Sequence, residues 1–178
     1  ILDLVLNHTS SEHQWFKLSS EKKTDNPFRD YYIWRDGQEP KGKKPPNNWK
    51  SHFGGSAWTY DDYSKQWYYH HFLPQQPDLN YRNQDVKKNM FNNVRFWLNK
   101  GVDGFRLDVI HVIYEKSELM DNPWDYHLLP ADNSAKWLFQ NHKYDQDLPE
   151  TIEFVKELRS VVNEYKDPER VLIGEVIQ

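Results

Sequence analysis

The stretch "GVDGFRLDVI", residues 101–110, has the composition of a buried strand except at two positions. Arg106 and Asp108 are two residues apart, so on a strand their side chains lie on the same face. The apolar residues around them place the segment inside the protein. Burying a guanidinium or a carboxylate is costly unless the group is paired and hydrogen-bonded. The sequence therefore predicts an ion pair at the end of a buried strand.

Three segments carry strand signals and share one composition. Ile1–Leu6, Val102–Ile110 and Val171–Ile177 are each apolar on both faces and rich in branched side chains. Continuous apolar runs of this kind are typical of a parallel sheet that is covered on both sides.

Helical periodicity predicts two helices, Gln84–Lys100 and, approximately, Pro149–Tyr165. Asn83 is suited to cap the first helix, and Gly101 is suited to end it. The second helix lies between two predicted strands, which indicates a βαβ unit with a right-handed crossover. The predicted fold class is therefore α/β.

Residues 8–80 have a different character, because they hold 15 of the 28 aromatic residues. They also contain the helix and strand breakers "EPKGKKPPNNW" and "FGGSAW". The segment is too long for an ordinary strand-to-helix loop, so it predicts a small irregular subdomain inserted after the first strand. A second polar insertion, about Glu115–Gln146, shows no clear period.

Composition excludes several classes of function. The 178 residues carry a net charge of −4, so no basic face is available for nucleic acid. No apolar run approaches the roughly 20 residues of a membrane span. Cysteine is absent, which excludes disulfides, thiolate metal sites and a catalytic thiol, and favours a cytoplasmic location. The chain starts inside an apolar strand without methionine, so we expect an internal fragment that is neither stable nor active alone.

Two acidic residues lie near the ends of neighbouring predicted strands. Asp108 and Glu175 would share the carboxyl edge of a parallel sheet, where adjacent backbones are about 4.8 Å apart. Their carboxyl groups could then lie about 5–5.5 Å apart, the separation found in retaining glycosidases. Either acid could instead cap a helix or serve only in an ion pair. The pattern does not decide which acid would take which role.

Four segments in order resemble the α-amylase family of glycoside hydrolases (family 13), specifically its oligo-1,6-glucosidase and α-glucosidase branch. They are "DLVLNH" (3–8), "QPDLN" (76–80), "GFRLD" (104–108) and "GEV" (174–176). The resemblance implies a (β/α)8 TIM barrel, of which this chain supplies strands three to five. Residues 1–8 would be strand three, 9–80 the family's small inserted domain, and 81–178 the part from helix three to strand five.

The resemblance also implies roles for four residues. Asp108 corresponds to the nucleophile, Arg106 to the residue that orients it, and Glu175 to the general acid and base. His8 corresponds to the histidine that holds glucose in the cleaved subsite. These roles require Asp108 to stay ionised, which Arg106 supports. They also lead us to expect a raised pKa for Glu175, caused by burial and by the charge of Asp108.

Three further residues are candidates for substrate binding. Phe53 and Phe72 correspond to aromatic residues at the pocket mouth, where flat rings can cover the apolar faces of sugars. Val109 resembles the pattern associated with α-1,6 cleavage, whereas relatives that prefer maltose more often have alanine or threonine there. Val109 could equally be a strand residue that fills the core.

The implied activity is retaining hydrolysis of α-glucosidic bonds in short oligosaccharides such as isomaltose or maltose. Alternatives on the same core are trehalose-phosphate hydrolases, sucrose isomerases, trehalose synthases and the non-catalytic heavy subunits of amino-acid transporters. No cofactor is expected. No metal is expected either, although Asn7 corresponds to a calcium ligand of α-amylases. The expected partner is an oligosaccharide, with no nucleic acid and no membrane, and the third catalytic acid is expected beyond Gln178.

Overall fold

A computed structural model describes residues 1–21, 23, 25–39, 42–125 and 139–176. In chain order the helices and strands are β1 (Leu2–Val5), α1 (Gln14–Ser19), β2 (Trp34–Arg35), β3 (Trp58–Asp61), β4 (Gln66–Tyr69), α2 (Gln84–Asn99), β5 (Gly104–Asp108), α3 (Pro149–Val162) and β6 (Val171–Gly174). The three predicted strands and two predicted helices are present, with ends that differ by a few residues. Residue 177, the predicted end of the last strand, lies outside the described residues.

The chain divides into two compact units. The first unit comprises Ile1–Asn7, Tyr81–Tyr114 and Gln146–Gln178, and the second comprises His8–Asn80 and Glu115–Asp145. This division differs from the sequence-based boundaries, which placed all of 81–178 in the barrel.

Hydrogen bonds between residues that are distant in the sequence explain why the described part of Glu115–Asp145 belongs to the second unit. The side-chain amide of Asn48 donates to the carbonyl of Asn122, and the backbone N–H of Asn122 donates back to Asn48 Oδ1 at 2.8 Å. The indole N–H of Trp49 donates to the carbonyl of Met120 at 2.9 Å. No local sequence pattern encodes these pairings, which join residues about 70 positions apart.

The first unit is built on a parallel sheet with the strand order β1-β5-β6. Leu2 to Val5 pair in register with Phe105 to Asp108, and Gly104 to Leu107 pair with Val171 to Gly174. Because all three strands run in the same direction, their carboxyl ends lie at one edge of the sheet. The central strand is β5, where Phe105 and Leu107 are buried.

Helices α2 and α3 pack together in the first unit through aromatic rings. The ring of Phe154 on α3 lies 5.5 Å from Phe91 on α2 and 4.9 Å from Tyr81. Asn83 caps α2 as predicted, since its Oδ1 accepts the backbone N–H of Asp85 at 2.8 Å. Pro149 occupies the first turn of α3, where a missing N–H costs nothing.

Strand β5 ends two residues earlier than predicted. Val109 adopts a left-handed conformation, with φ 40° and ψ 45°, which no strand can contain. A 3-10 turn, Ile110–Val112, follows directly. The strand predicted as Val102–Ile110 is therefore wrong at its end, because a composition of branched apolar residues gives no sign of a left-handed residue.

The second unit contains an antiparallel sheet with the strand order β2-β4-β3. Its core cluster is Ile33, Trp49, Ala57, Trp58 and Tyr69. Polar ring atoms of this core also have hydrogen-bond partners. For example, the indole N–H of Trp58 donates to Asn47 Oδ1 at 2.7 Å. The many aromatic residues of this segment thus mainly build a core for a unit with short strands.

The close approach of β5 and β6 depends on Gly104. A Cβ at this position would lie 2.3 Å from the carbonyl oxygen of Val171, a fixed backbone atom. A Cβ at Gly174, on the facing strand, would meet only Ile110 at 3.6 Å, which is an ordinary contact. The absence of a side chain is therefore required at one position and not at the other.

We expect Gly104→Ala to lower the free energy of unfolding by about 1–3 kcal/mol, because β6 must move away from β5. The matched control, Gly174→Ala, should be neutral or slightly stabilising because it restricts the unfolded chain. Urea unfolding of both variants, each made in the longer protein that contains this chain, measures the difference. Equal effects of the two substitutions would contradict the importance of the Gly104 contact.

Candidate active site

A cluster of four charged side chains lies across the sheet of the first unit. Nη1 of Arg106 is 2.6 Å from Oδ1 of Asp3 and 2.9 Å from Oδ1 of Asp108. Nη2 of Arg106 is 2.6 Å from Oε1 of Glu175. The predicted ion pair between Arg106 and Asp108 is present, and one guanidinium therefore holds three carboxylates.

Strand register brings these residues together. Asp3 on β1 pairs directly with Arg106 on the central strand, and Asp108 lies two residues further along the same face. The backbone N–H of Glu175 donates to the carbonyl of Leu107 at 2.9 Å, which continues the ladder one residue beyond β6. The cluster is thus a product of main-chain pairing at adjacent positions of three parallel strands.

Asp3 is the member of the cluster that the sequence analysis did not select. It carried a usable signal, because it is a charged residue inside the apolar run "ILDLVL". The same argument that singled out Arg106 in its strand applies to Asp3. A parallel pairing of the two strands would then have placed the opposite charges side by side.

The pKa directions of the two acids are the reverse of those expected. The hydrogen bond from Arg106 lowers the pKa of Glu175, and smaller contributions come from the Val109 N–H and from Asp108. Burial raises the pKa of Asp108, and the bond to Arg106 offsets only part of this rise. The expected rise in the pKa of Glu175 is therefore wrong for this structure.

Incomplete burial accounts for this reversal. The Glu175 side chain is 34% exposed, so little desolvation opposes its ion pair with Arg106. Asp108 is 22% exposed and shares one nitrogen of the guanidinium with Asp3. Since Asp3 and Glu175 are the main partners that raise the pKa of Arg106, the guanidinium stays charged.

Val109 connects the turn after β5 to Glu175. Its backbone N–H donates to Oε2 of Glu175 at 3.4 Å, and its side chain is buried. A left-handed conformation is costly for a branched residue, about 1–3 kcal/mol, and such strain is often found at functional sites. The structure thus places Val109 beside the charged cluster, although not in a strand as the core-filling interpretation assumed.

A second group of candidate residues lies in the second unit. The His8 ring is 5.6 Å from the Phe72 ring, and the Phe72 ring is 6.0 Å from the Phe53 ring. The side-chain amide of Gln76 donates to Nε2 of His8 at 2.9 Å, so the neutral ring carries its proton on Nδ1. Burial lowers the pKa of His8 to about 4, and the imidazole is uncharged at neutral pH.

The two predicted aromatic residues differ in exposure. Phe72 is buried, whereas Phe53 is 64% exposed. Phe53 precedes Gly54 and Gly55, which both have positive φ values and make the sharp turn that projects it. His52, which the sequence analysis did not select, lies 5.2 Å from Phe53 and 5.6 Å from Phe72, measured between ring centroids.

Arg106, Asp108, Glu175 and Val109 therefore meet in the first unit, and His8, Phe53 and Phe72 meet in the second. Within the described residues, no group of three or more His, Asp or Glu side chains could hold a metal ion. The described helices are all too short or too polar to cross a membrane.

The sequence and the structure of this chain are both similar to those of known proteins. Residues 1–178 match the α-amylase catalytic-domain family. The chain is 45% identical over 166 residues to an oligo-1,6-glucosidase of Parageobacillus thermoglucosidasius, covering 93% of this chain and 27% of that protein. The chain thus spans less than a third of the length of that relative.

Two solved structures share the fold. The crystal structure of the α-glucosyl transfer enzyme XgtA superposes with a TM-score of 0.90 at 39% identity, covering 99% of this chain and 33% of that chain. The trehalose-6-phosphate hydrolase of Bacillus licheniformis superposes with a TM-score of 0.80 at 38% identity, covering 99% of this chain and 28% of that chain.

The Glu175 ion pair has a pH-dependent effect on stability. Because its pKa is lowered in the folded state, the stabilisation is present above the unfolded pKa of about 4.3 and is lost as pH falls through the folded value. We expect Arg106→Gln to be less stable than the parent at pH 7, with the difference shrinking as the pH falls below 4.3.

Urea unfolding between pH 3 and 8 tests this expectation. The control is Arg95→Gln, which removes an exposed pair with Glu164 that is also held by two hydrogen bonds. Exposed pairs contribute little, about 0–1 kcal/mol. A stability difference for Arg106→Gln that does not change with pH would show that the ion pair is not its cause.

Proposed function

The chain belongs to the α-amylase family of catalytic domains, and we propose that the protein containing it is a retaining α-glucosidase for short oligosaccharides. The fold class predicted from the sequence, α/β and part of a (β/α)8 barrel, is confirmed. The observation that carries the proposal is the cluster in which Arg106 holds Asp3, Asp108 and Glu175 at the carboxyl edge of the sheet. This is the edge where such barrels place their chemistry.

In the proposed mechanism, Asp108 is the nucleophile and Glu175 the acid and base. An oxygen of Asp108 attacks the anomeric carbon while the glycosidic C–O bond breaks, and Glu175 donates its proton to the departing oxygen. Water then gives a proton to Glu175 and attacks the same carbon. The ester bond to Asp108 breaks, and glucose leaves with its original anomeric configuration.

The ion pair between Glu175 and Arg106 must open before Glu175 can act as an acid. With a lowered pKa, Glu175 is a carboxylate and has no proton to donate. A sugar ring that excludes water would strengthen the repulsion from Asp108 and raise the pKa of Glu175. Esterification of Asp108 removes that repulsion, so Glu175 then reverts to a base that can accept a proton from water.

We assign binding of the glucosyl residue to His8, Phe53 and Phe72. The neutral His8 ring lies beside Phe72, with the two ring centroids 5.6 Å apart. Aromatic faces suit the apolar faces of a pyranose ring. The expected cytoplasmic location stays a prediction.

The charged cluster favours an enzyme over a non-catalytic scaffold. A guanidinium and three carboxylates leave a net negative charge in a partly buried place, which a scaffold does not require. The named activities of the relatives include glucosyl transfer and trehalose-6-phosphate hydrolysis. Oligosaccharide hydrolysis is favoured here because the relative at 45% identity is an oligo-1,6-glucosidase.

Azide rescue assigns the roles of the two acids. We expect Asp108→Ala and Glu175→Ala each to lower turnover by about 10²-fold or more. With 4-nitrophenyl α-glucoside and sodium azide, Glu175→Ala should give the α-glucosyl azide, because azide attacks the ester on Asp108. Asp108→Ala should give the β-glucosyl azide by direct displacement. NMR of the products distinguishes the two anomers.

Asp103→Ala is the matched control, since Asp103 is an exposed carboxylate of the first unit paired with Arg170. It should keep normal turnover. The opposite pattern of anomers would exchange the roles of Asp108 and Glu175. Normal turnover by both alanine variants would reject the mechanism.

Val109 is proposed to influence the choice of linkage. We expect Val109→Thr to lower the ratio of kcat/KM for isomaltose to that for maltose by about 10-fold, since one small side-chain change in a pocket has effects of this size. Val112→Thr is the control, because Val112 is buried in the same turn. An unchanged ratio in Val109→Thr, or an equal change in Val112→Thr, would make Val109 a packing residue.

A further inference from the structure

Ser51 is a buried residue of the second unit to which the proposed function gives no role. It lies two positions before Phe53 and is 2% exposed. A buried hydroxyl costs free energy unless it is hydrogen-bonded, and it can donate one hydrogen bond and accept two. The partners of the Ser51 hydroxyl therefore indicate what this residue does.

The Ser51 hydroxyl joins the main chains of the two phenylalanines that we assign to sugar binding. It donates to the carbonyl of Phe72 at 2.5 Å and accepts the backbone N–H of Phe53 at 3.2 Å. The hydroxyl is thus a direct link between the segment that carries Phe53 and the segment that carries Phe72.

Phe72 is the fixed end of this link. Phe72 is buried, and its carbonyl also accepts the Nδ1–H of His70 at 3.0 Å. His70 is itself buried, and its Nε2 is hydrogen-bonded to the hydroxyl of Thr59 at 2.9 Å. A carbonyl oxygen can accept two hydrogen bonds, so Phe72 would stay attached to His70 if the Ser51 hydroxyl were removed.

Phe53 has much less support from side-chain packing. It is exposed, and it precedes Gly54 and Gly55, at each of which an added Cβ would meet nothing within 4 Å. Main-chain hydrogen bonds close this open turn. The Ser51 N–H donates to the carbonyl of Gly55 at 3.2 Å, and the Gly54 N–H donates to the carbonyl of Ser51 at 2.8 Å.

The residue before Phe53 is held independently of the Ser51 hydroxyl. The backbone N–H of His52 donates to the carbonyl of His71 at 2.9 Å, and the two imidazole rings stack with their centroids 6.4 Å apart. Loss of the hydroxyl would therefore leave the turn closed and release the N–H of Phe53. The exposed Phe53 ring would then lose its fixed direction.

We propose that Ser51 is a positioning residue that holds Phe53 beside Phe72, so that the two rings, with centroids 6.0 Å apart, form one aromatic surface for the glucosyl residue. A ring that is fixed before the sugar binds loses less conformational freedom on binding, which increases affinity. This inference rests on the proposed role of Phe53 and Phe72 in sugar binding. Ser51 acts through Phe53 and does not touch the substrate.

Ser51→Ala, made in the longer protein that contains this chain, tests this role on the better of isomaltose and maltose. We expect KM to rise about 5-fold, the effect of one hydrogen bond, while kcat stays within about 2-fold. Ser56→Ala is the matched control. Ser56 lies at the other end of the same turn, and its hydroxyl accepts the backbone N–H of Trp58 at 3.1 Å, so both constants should stay those of the parent.

The Phe53→Ala background shows whether Ser51 acts through Phe53. In this background Ser51→Ala should change KM by less than about 2-fold, because the ring that it positions is absent. A rise of the same size in both backgrounds would overturn the positioning role. An unchanged KM in Ser51→Ala, or a fall in kcat as large as the rise in KM, would overturn it as well.

Ser51→Cys replaces Ser51→Ala if the alanine variant does not fold. The thiol fills the buried space but forms only weak hydrogen bonds. We expect KM to rise about 3-fold in this variant. A KM equal to that of the parent would contradict the role of the hydroxyl.

Phe53→Ala alone separates failure of this inference from failure of the proposed sugar binding. If Phe53 contacts the sugar, Phe53→Ala must raise KM at least as much as Ser51→Ala does. When Phe53→Ala raises KM and Ser51→Ala does not, only the role of Ser51 is rejected. When Phe53→Ala keeps the KM of the parent, the assignment of Phe53 to sugar binding is rejected, and the role of Ser51 falls with it.

Discussion

The arrangement of the first unit depends on the ion pairs of Arg106. Its guanidinium is a single cation held among three carboxylates on a parallel sheet. One positive charge cannot balance three negative charges, so two negative charges of the cluster have no cation beside them in these ion pairs. Asp108, the most buried of the three acids, has its pKa raised by burial. In the free protein, proton binding is thus favoured at Asp108 and disfavoured at Glu175, which is the reverse of what the proposed roles require.

The contacts of Arg106 with the three carboxylates are not equal. In the free protein Arg106 forms its short contacts with Asp3 and Glu175, while its contact with Asp108 is longer at 2.9 Å. Asp3 therefore shares Nη1 of the guanidinium with Asp108. A sugar that separated Glu175 from Arg106 would redistribute the guanidinium toward Asp108. The lowered pKa of Glu175 follows from its hydrogen bond with Arg106 in the free protein.

The spacing of Arg106 and Asp108 on one face of an apolar strand was enough to predict their pairing, and three continuous apolar runs were enough to predict the parallel sheet. The same signal was present at Asp3, because a charged residue in an apolar strand demands a partner. Two features had no local signal. The left-handed Val109 is set by its surroundings, since a branched residue disfavours that conformation. The assignment of Glu115–Asp145 to the second unit depends on long-range bonds such as that between Asn48 and Asn122.

The two units place their functional side chains by different physical means. In the first unit, main-chain register fixes the charged cluster, and the absence of a side chain at Gly104 lets β6 lie close to β5. In the second unit, a core of aromatic rings supports the surface that carries Phe53 and its two glycines. A substitution such as one at Phe53 alters an exposed loop without disturbing a hydrogen-bond ladder, whereas a change at Arg106 affects three carboxylates at once. The proposed nucleophile and acid are thus held by the sheet, whereas the exposed Phe53, proposed to contact the sugar, lies in a loop.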